Sequence, residues 1–154
     1  MSNTVRIKGY LNVNNEAKAA EIITPGMLIE LTSAALVQPH STVEGNVAAC
    51  FAMEDALQGK GIDDNYAVGD IVQCWTPVRG EEVNAILADG YDIDVGDFLA
   101  SNGDGMLREY AGESGGGVQP LVAVAREAVD TSGSSGEESS GPLGYAKRIR
   151  VVVM

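Results

Sequence analysis

The strongest constraint on this chain is a device that recurs along it. A glycine-marked turn, in two cases closed by an aspartate, is followed at once by a short run of mixed apolar and polar residues: "PGMLIEL" (25–31), "VGDIVQC" (68–74) and "VGDFLAS" (95–101). Glycine admits the positive φ that tight turns need, and a neighbouring aspartate can accept a nearby backbone amide as the strand begins. Apolar residues at every second position place one strand face in a core and the other in solvent. The match is too short for a solenoid repeat. It marks strand entry.

Further period-two runs lie at "TVRIKGYL" (4–11), "EVNAIL" (82–87), "MLREY" (106–110), "LVAVAREAV" (121–129) and "YAKRIRVVVM" (145–154). Together they predict eight or nine strands, a barrel-like count. The fold class is therefore mainly β: a small barrel-like domain with long loops and little helix. The 154 residues amount to one ordinary domain, with an extended amino-terminal arm over 1–11 and a single β-rich domain over 12–154. With only two Phe among many Val, Leu, Ile and Ala, the interior is aliphatic.

One stretch is ambiguous. "NVAACFAMEDALQGKG" (46–61) fits a helix capped by Asn46 and stopped by Gly59, with Val47, Cys50, Phe51 and Leu57 on one stripe. It fits equally a strand over 47–53 followed by a turn. Propensity slightly favours helix. Two low-complexity stretches, "AGESGGG" (111–117) and "DTSGSSGEESSGP" (130–142), have almost nothing apolar to bury, so ordering them costs entropy without return. The second is expected to be a flexible insertion within the domain.

Ten Lys and Arg against twenty-two Asp and Glu give a net charge of −12, which repels a phosphate backbone and argues against nucleic-acid binding. Half of the basic residues, Arg6, Lys8, Lys147, Arg148 and Arg150, sit near the two ends. No apolar run approaches the roughly twenty residues that span a bilayer, and the polar start lacks the apolar core of a signal peptide. A cytoplasmic site of synthesis without membrane contact is the expectation. Cys50 and Cys74 form no close metal-type pair and are expected to be buried free thiols.

Catalytic and metal signatures are thin. "DIDVGDFLASNGDGML" (92–107) is rich in aspartate, but a calcium loop begun at Asp92 puts Gly96 at its fifth position and Gly103 at its twelfth, where ligands are required. A hairpin of "DFLAS" with "MLREY" through "NGDG" fits instead, with Asn102 and the glycines able to take left-handed conformations. His40, the only histidine, has no nucleophile motif beside it and is expected at a turn or on the surface. Asp63, Asp64 and Asp70 crowd together but belong to turn sequences that ordinarily stay solvated. No catalytic residue, metal or cofactor is assigned; a metal-dependent hydrolase using these aspartates or His40 is the weaker alternative. Trp75, the only tryptophan, is expected in the core.

Protein contact is the better-supported expectation. Within "NTVRIKGYL", Val5, Ile7, Tyr10 and Leu11 could fill a partner's pockets while Arg6 and Lys8 face the other way, the backbone adding to a partner's sheet edge. The same residues also fit the first strand of the chain's own sheet, which the sequence by itself slightly favours.

The stretches "ITPGMLIELTSAALVQPHST", "FAMEDALQGKGIDDNYAVGDIVQCWTPVRGEEVNAILADG" and "DVGDFLASNGDGML" resemble the head decoration, or cement, proteins of tailed bacteriophages, over roughly residues 20–110. The resemblance implies a β-tulip fold similar to the lambda-type decorators. It also implies a homotrimer on the outer surface of the mature head, with the major capsid protein as partner and a virion location. It further implies an amino-terminal arm that joins capsid strands, which turns residues 3–11 toward partner contact and the 47–53 stretch toward strand. Another virion component, a tail or spike part, is the nearest alternative. The 130–142 insertion and the terminal "RIRVVVM" depart from a minimal decorator, which leaves the role of the carboxy-terminal end open.

Overall fold

The computed structural model describes residues 4–8, 14–112, 120–133 and 147–154. Tyr10 and Leu11, most of the 111–117 connector and most of the 130–142 insertion lie outside the described residues. The described chain is nearly all β, with a single 3-10 turn at Ala56–Gln58.

Five strands close a small barrel: β7 (Glu82–Leu87), β10 (Leu107–Glu109), β9 (Phe98–Ser101), β11 (Ala123–Ala125) and β13 (Lys147–Val153), which returns to β7. The longest pairing is β13 against β7, antiparallel from Lys147↔Leu87 to Val152↔Glu82. On its other edge β7 meets β10 in parallel only at Leu107↔Leu87. The rest of that edge is taken by β1 (Arg6–Lys8), antiparallel, with Arg6 opposite Val83. The first strand therefore fills a seam that β10 leaves open.

Alternation explains why these sequences sit here. Along β13, Ile149, Val151 and Val153 point into the barrel, where they meet Leu87, Leu99, Leu107, Ala123 and Ala125, all essentially inaccessible. β7 is buried on both faces. Val83, Ala85 and Leu87 fill the barrel, while Ile86 faces a second core. That second core lies under β2 (Asn14–Lys18), β6 (Ile71–Trp75) and β5 (Phe51–Ala52), a sheet in the order β2-β6-β5, and under the hairpin of β3 (Ile29–Leu31) with β4 (Val37–Pro39). Ile23, Ile29, Val37, Tyr66, Val72 and Cys74 pack there. A small pair, β8 (Asp92–Ile93) with β12 (Val129–Asp130), completes the described strands.

The recurrent turn is built as the sequence predicts. Asp70 accepts the Ala67 amide at 2.9 Å and Asp97 the Asp94 amide at 2.8 Å, each across a glycine with positive φ. "VRGE" uses the same geometry, Glu81 accepting the Val78 amide at 2.7 Å across Gly80. The β9–β10 hairpin also forms, Ser101 opposite Leu107, but the left-handed positions are Gly103 and Gly105, not Asn102.

Three expectations change. The 46–59 stretch is neither a long helix nor a long strand: only Phe51 and Ala52 are strand, and a 3-10 turn follows, capped by Asp55 and ended by left-handed Gly59. Pairing of Phe51 with Trp75, both fully buried, overrides helix propensity and leaves Leu57 in solvent. "LVAVAREAV" breaks into β11 and β12 in different sheets. Residues 130–133 belong to the fold: Thr131 is buried, its hydroxyl oxygen 2.9 Å from the carbonyls of both Ala88 and Tyr91, which share its one proton, and accepting the Tyr91 amide.

Candidate partner-binding surface

Val5 and Arg6, near the amino terminus, are engaged by their own chain. Val5 is fully buried, its amide donating to Glu54 Oε2 at 3.0 Å and its carbonyl accepting the Asn84 amide at 2.6 Å. Arg6 lies with its guanidinium 5.4 Å from the centroid of the Trp75 ring, a cation–π contact over a core indole. Ile7 and Lys8 continue β1, while Tyr10 and Leu11 fall outside the described residues. In this conformation Val5 serves its own core and has no surface to offer a partner.

Of the basic carboxy-terminal residues, Arg148 is turned inward. The Arg148 side chain is 4% exposed; its guanidinium donates to the carbonyls of Pro25 at 2.8 Å and Ile62 at 2.6 Å and lies 3.9 Å from Asp63. Burial lowers its pKa, with Asp63 opposing that shift. It pins the turn before β3 and the 61–63 loop to the barrel, so its charge is spent inside the fold.

The residues considered for chemistry are dispersed. Asp64 caps its own turn through the Gly61 amide, Asp70 caps the turn before β6, and Asp63 sits beside Arg148. Among the described residues no three His, Cys, Asp or Glu side chains gather as a metal site would require. His40 is not at the surface but 1% exposed. Its Nδ1 is 2.6 Å from Ser101 Oγ, and its Nε2 is 3.3 Å from the Asn46 carbonyl and 3.7 Å from Glu30 Oε2. Ser101 is fully buried and its oxygen also accepts the Gly103 amide, so the pair ties the 101–105 bend to β4 and presents no accessible nucleophile. No sequence signal joins residues 40 and 101; the contact is tertiary.

His40 lies at one end of a cleft of about 530 Å³ between β2 and the β3–β4 hairpin. Ala17, Ile29, Leu31 and Val37 make its walls mainly apolar, and Glu16 and Glu30 stand at it as carboxylates. Glu30 is held below the usual carboxylate range, chiefly by the Ser41 hydroxyl and also by Gln38 and His40, so it carries its charge at neutral pH. Cys50 and Cys74 also line the cleft as free thiols, Cys74 buried and Cys50 half-buried. Burial pushes both upward, Cys74 to about 12 with the nearby Cys50 adding to the shift, so neither is a reactive thiolate. The cleft was not legible in the sequence, because its walls come from four separated segments.

No family model and no curated protein matches this chain. Among solved structures, the chain is similar to the N base of the head fiber gp8.5 of bacteriophage phi29. The TM-score is 0.56 at 14% identity, over 94% of this chain and 95% of that chain. At that identity the likeness is one of fold, and it is to a head-fiber base, with nothing in it that singles out the lambda-type decorators.

Proposed function

We propose that this chain is a structural protein of a phage virion that binds the outer surface of the mature head and holds neighbouring major capsid subunits together, acting as a homotrimer. The observation that carries this reading is the nearly full-length fold likeness to a phage head-fiber base. It accords with the resemblance of residues 20–110 to decoration proteins. A shell under internal pressure fails where subunits part. A trivalent bridge must release all its contacts at once, so modest contacts give strong retention. The net charge of −12 would keep free copies off packaged or spilled DNA.

Within the arm, shell contact falls to Ile7, Lys8, Tyr10 and Leu11, since Val5 and Arg6 are held by the barrel and Trp75. Purified protein mixed with expanded, undecorated heads should co-sediment at saturable occupancy and raise the temperature at which heads release DNA. Tyr10→Asp with Leu11→Asp should lower that occupancy, read on variant protein whose thermal midpoint matches the wild type. Failure of the wild-type chain to bind such heads would refute the capsid reading. A second reading, the base of a projecting head fiber, is favoured by the structural neighbour, itself a head-fiber base. Electron microscopy of the virion separates the two: low caps at threefold positions for a cement, projections for a fiber.

A further inference from the structure

Among the described residues, one edge of β2 is left largely unpaired. β2 is the outermost strand of the sheet β2-β6-β5, and among the described residues the one backbone bridge on its far side is Ala19↔Val37, just past its end. Hydrogen-bond parity fixes which backbone groups face outward. The Ala19 amide donates to Asp70 on the β6 side, whereas the Ala20 amide donates to Val37 on the opposite side. Backbone groups alternate along an antiparallel edge, so Glu16 and Lys18 direct their N–H and C=O away from β6, in the same direction as Ala20. Beyond the Ala19↔Val37 bridge, β2 and the β3–β4 hairpin part, and the space between them is the apolar cleft. Leu31 lines it while 72% exposed, a large apolar side chain left in water.

We propose that this edge and cleft form a docking site for an extended strand of the shell protein, with apolar side chains at every second position and Lys or Arg between them. The strand would become the fourth in the sheet, its backbone pairing with Glu16 and Lys18. Its apolar residues would enter the cleft beside Ala17 and Leu31, and its cations would lie near the carboxylates of Glu16 and Glu30. Lys18 itself is exposed on β2 but does not line the cleft, so the charge at the cleft is acidic. Edge strands are ordinarily shielded by charged side chains, proline, bulges or cover; β2 has no proline, and the charges it carries, Glu16 and Lys18, are of opposite sign. This inference rests on the capsid reading for the identity of the partner, though not for the existence of the site.

The test uses the full-length chain and a fluorescently labelled peptide alternating Val and Lys, with a peptide of the same composition in blocks as control. The alternating peptide should bind, and the block peptide at least about tenfold more weakly. Lys18→Pro removes one outward N–H without touching the β6 ladder and should weaken binding by about tenfold, whereas Lys18→Gln, which keeps the N–H, should not. Leu31→Ser, on the exposed hairpin, gives an independent loss if the proline variant fails to fold. Equal binding of both peptides, no binding by the wild type, or equal binding by Lys18→Gln and a folded Lys18→Pro would overturn the site. The two proposals fail separately. Variants that lose the peptide yet bind heads at full occupancy would remove the shell strand as the occupant while leaving the capsid reading. A wild type that binds the peptide through this edge but never binds heads would remove the capsid reading and assign the strand to another partner.

Discussion

Alanine at Gly26, compared with alanine at Gly69 and Gly96, measures what the barrel adds to a local turn. The three glycines open the same kind of strand and have nearly the same φ, +97°, +89° and +98°. Forcing an L-residue into that region costs about 1–2 kcal/mol, and alanine recovers about 0.4–1 kcal/mol by restricting the unfolded chain. Gly69→Ala and Gly96→Ala, where an added Cβ meets nothing within 4 Å, should therefore cost about 0–1.6 kcal/mol each. At Gly26 the same carbon would stand 2.9 Å from the Asn84 carbonyl oxygen on β7 and against the Arg148 guanidinium. A backbone oxygen on a strand buried on both faces has little room to move, and Arg148 is held by the Pro25 and Ile62 carbonyls. Overpacking of this kind adds about 1–3 kcal/mol. For a chain of this size the extra cost corresponds to about 2–12 °C in thermal midpoint. Urea unfolding followed by Trp75 fluorescence, at one fixed protein concentration, reads the difference. If Gly26→Ala and Gly96→Ala agree within about 0.5 kcal/mol, the Arg148 clamp does not hold the turn against β7 and the reasoning is refuted.

Leu99→Ala, at a fully buried barrel position, should cost about 2–5 kcal/mol, while Val124→Ala, half-buried on the outer face of β11, should cost clearly less; comparable losses in denaturation would mean the faces of the barrel are misassigned. Glu30 has a pKa lowered from 4.5, so its contribution to stability is present above that value and is lost as pH falls through its lower folded value. Acid titration of Glu30→Gln should show a shallower loss of stability below pH 4.5 than the wild type, and identical acid limbs would count against the Ser41–Glu30–Gln38 cluster. With its thiol pushed up to about 12, Cys74 should resist alkylation at pH 8 in the folded chain and react after unfolding, which mass spectrometry of iodoacetamide-treated protein would show.

Local chemistry carried the sequence a long way. The glycine-aspartate turns, the hairpin through residues 102–105 and the alternation in residues 147–153 involve groups a few positions apart, so backbone sterics and period two fix them before any distant partner arrives. The β-rich class, the strands at 82–87 and 98–101 and the burial of Trp75 were all legible for that reason. Helix propensity misled at 46–59 because burial of Phe51 opposite Trp75 outweighs a few tenths of a kcal/mol per residue.

Other features depend on contacts between residues far apart in the chain. Whether Val5 lies on a partner or in its own core was decided by a seam that β10 leaves beside β7. His40 became a core residue through Ser101, sixty-one positions away, and Arg148 became an internal clamp through Pro25. The cleft and the open edge of β2 exist only where separated strands meet and then diverge. A pattern of residues states which faces must be hidden from water; which surfaces do the hiding, and which stay free to receive another chain, is settled by how the closed barrel places its neighbours.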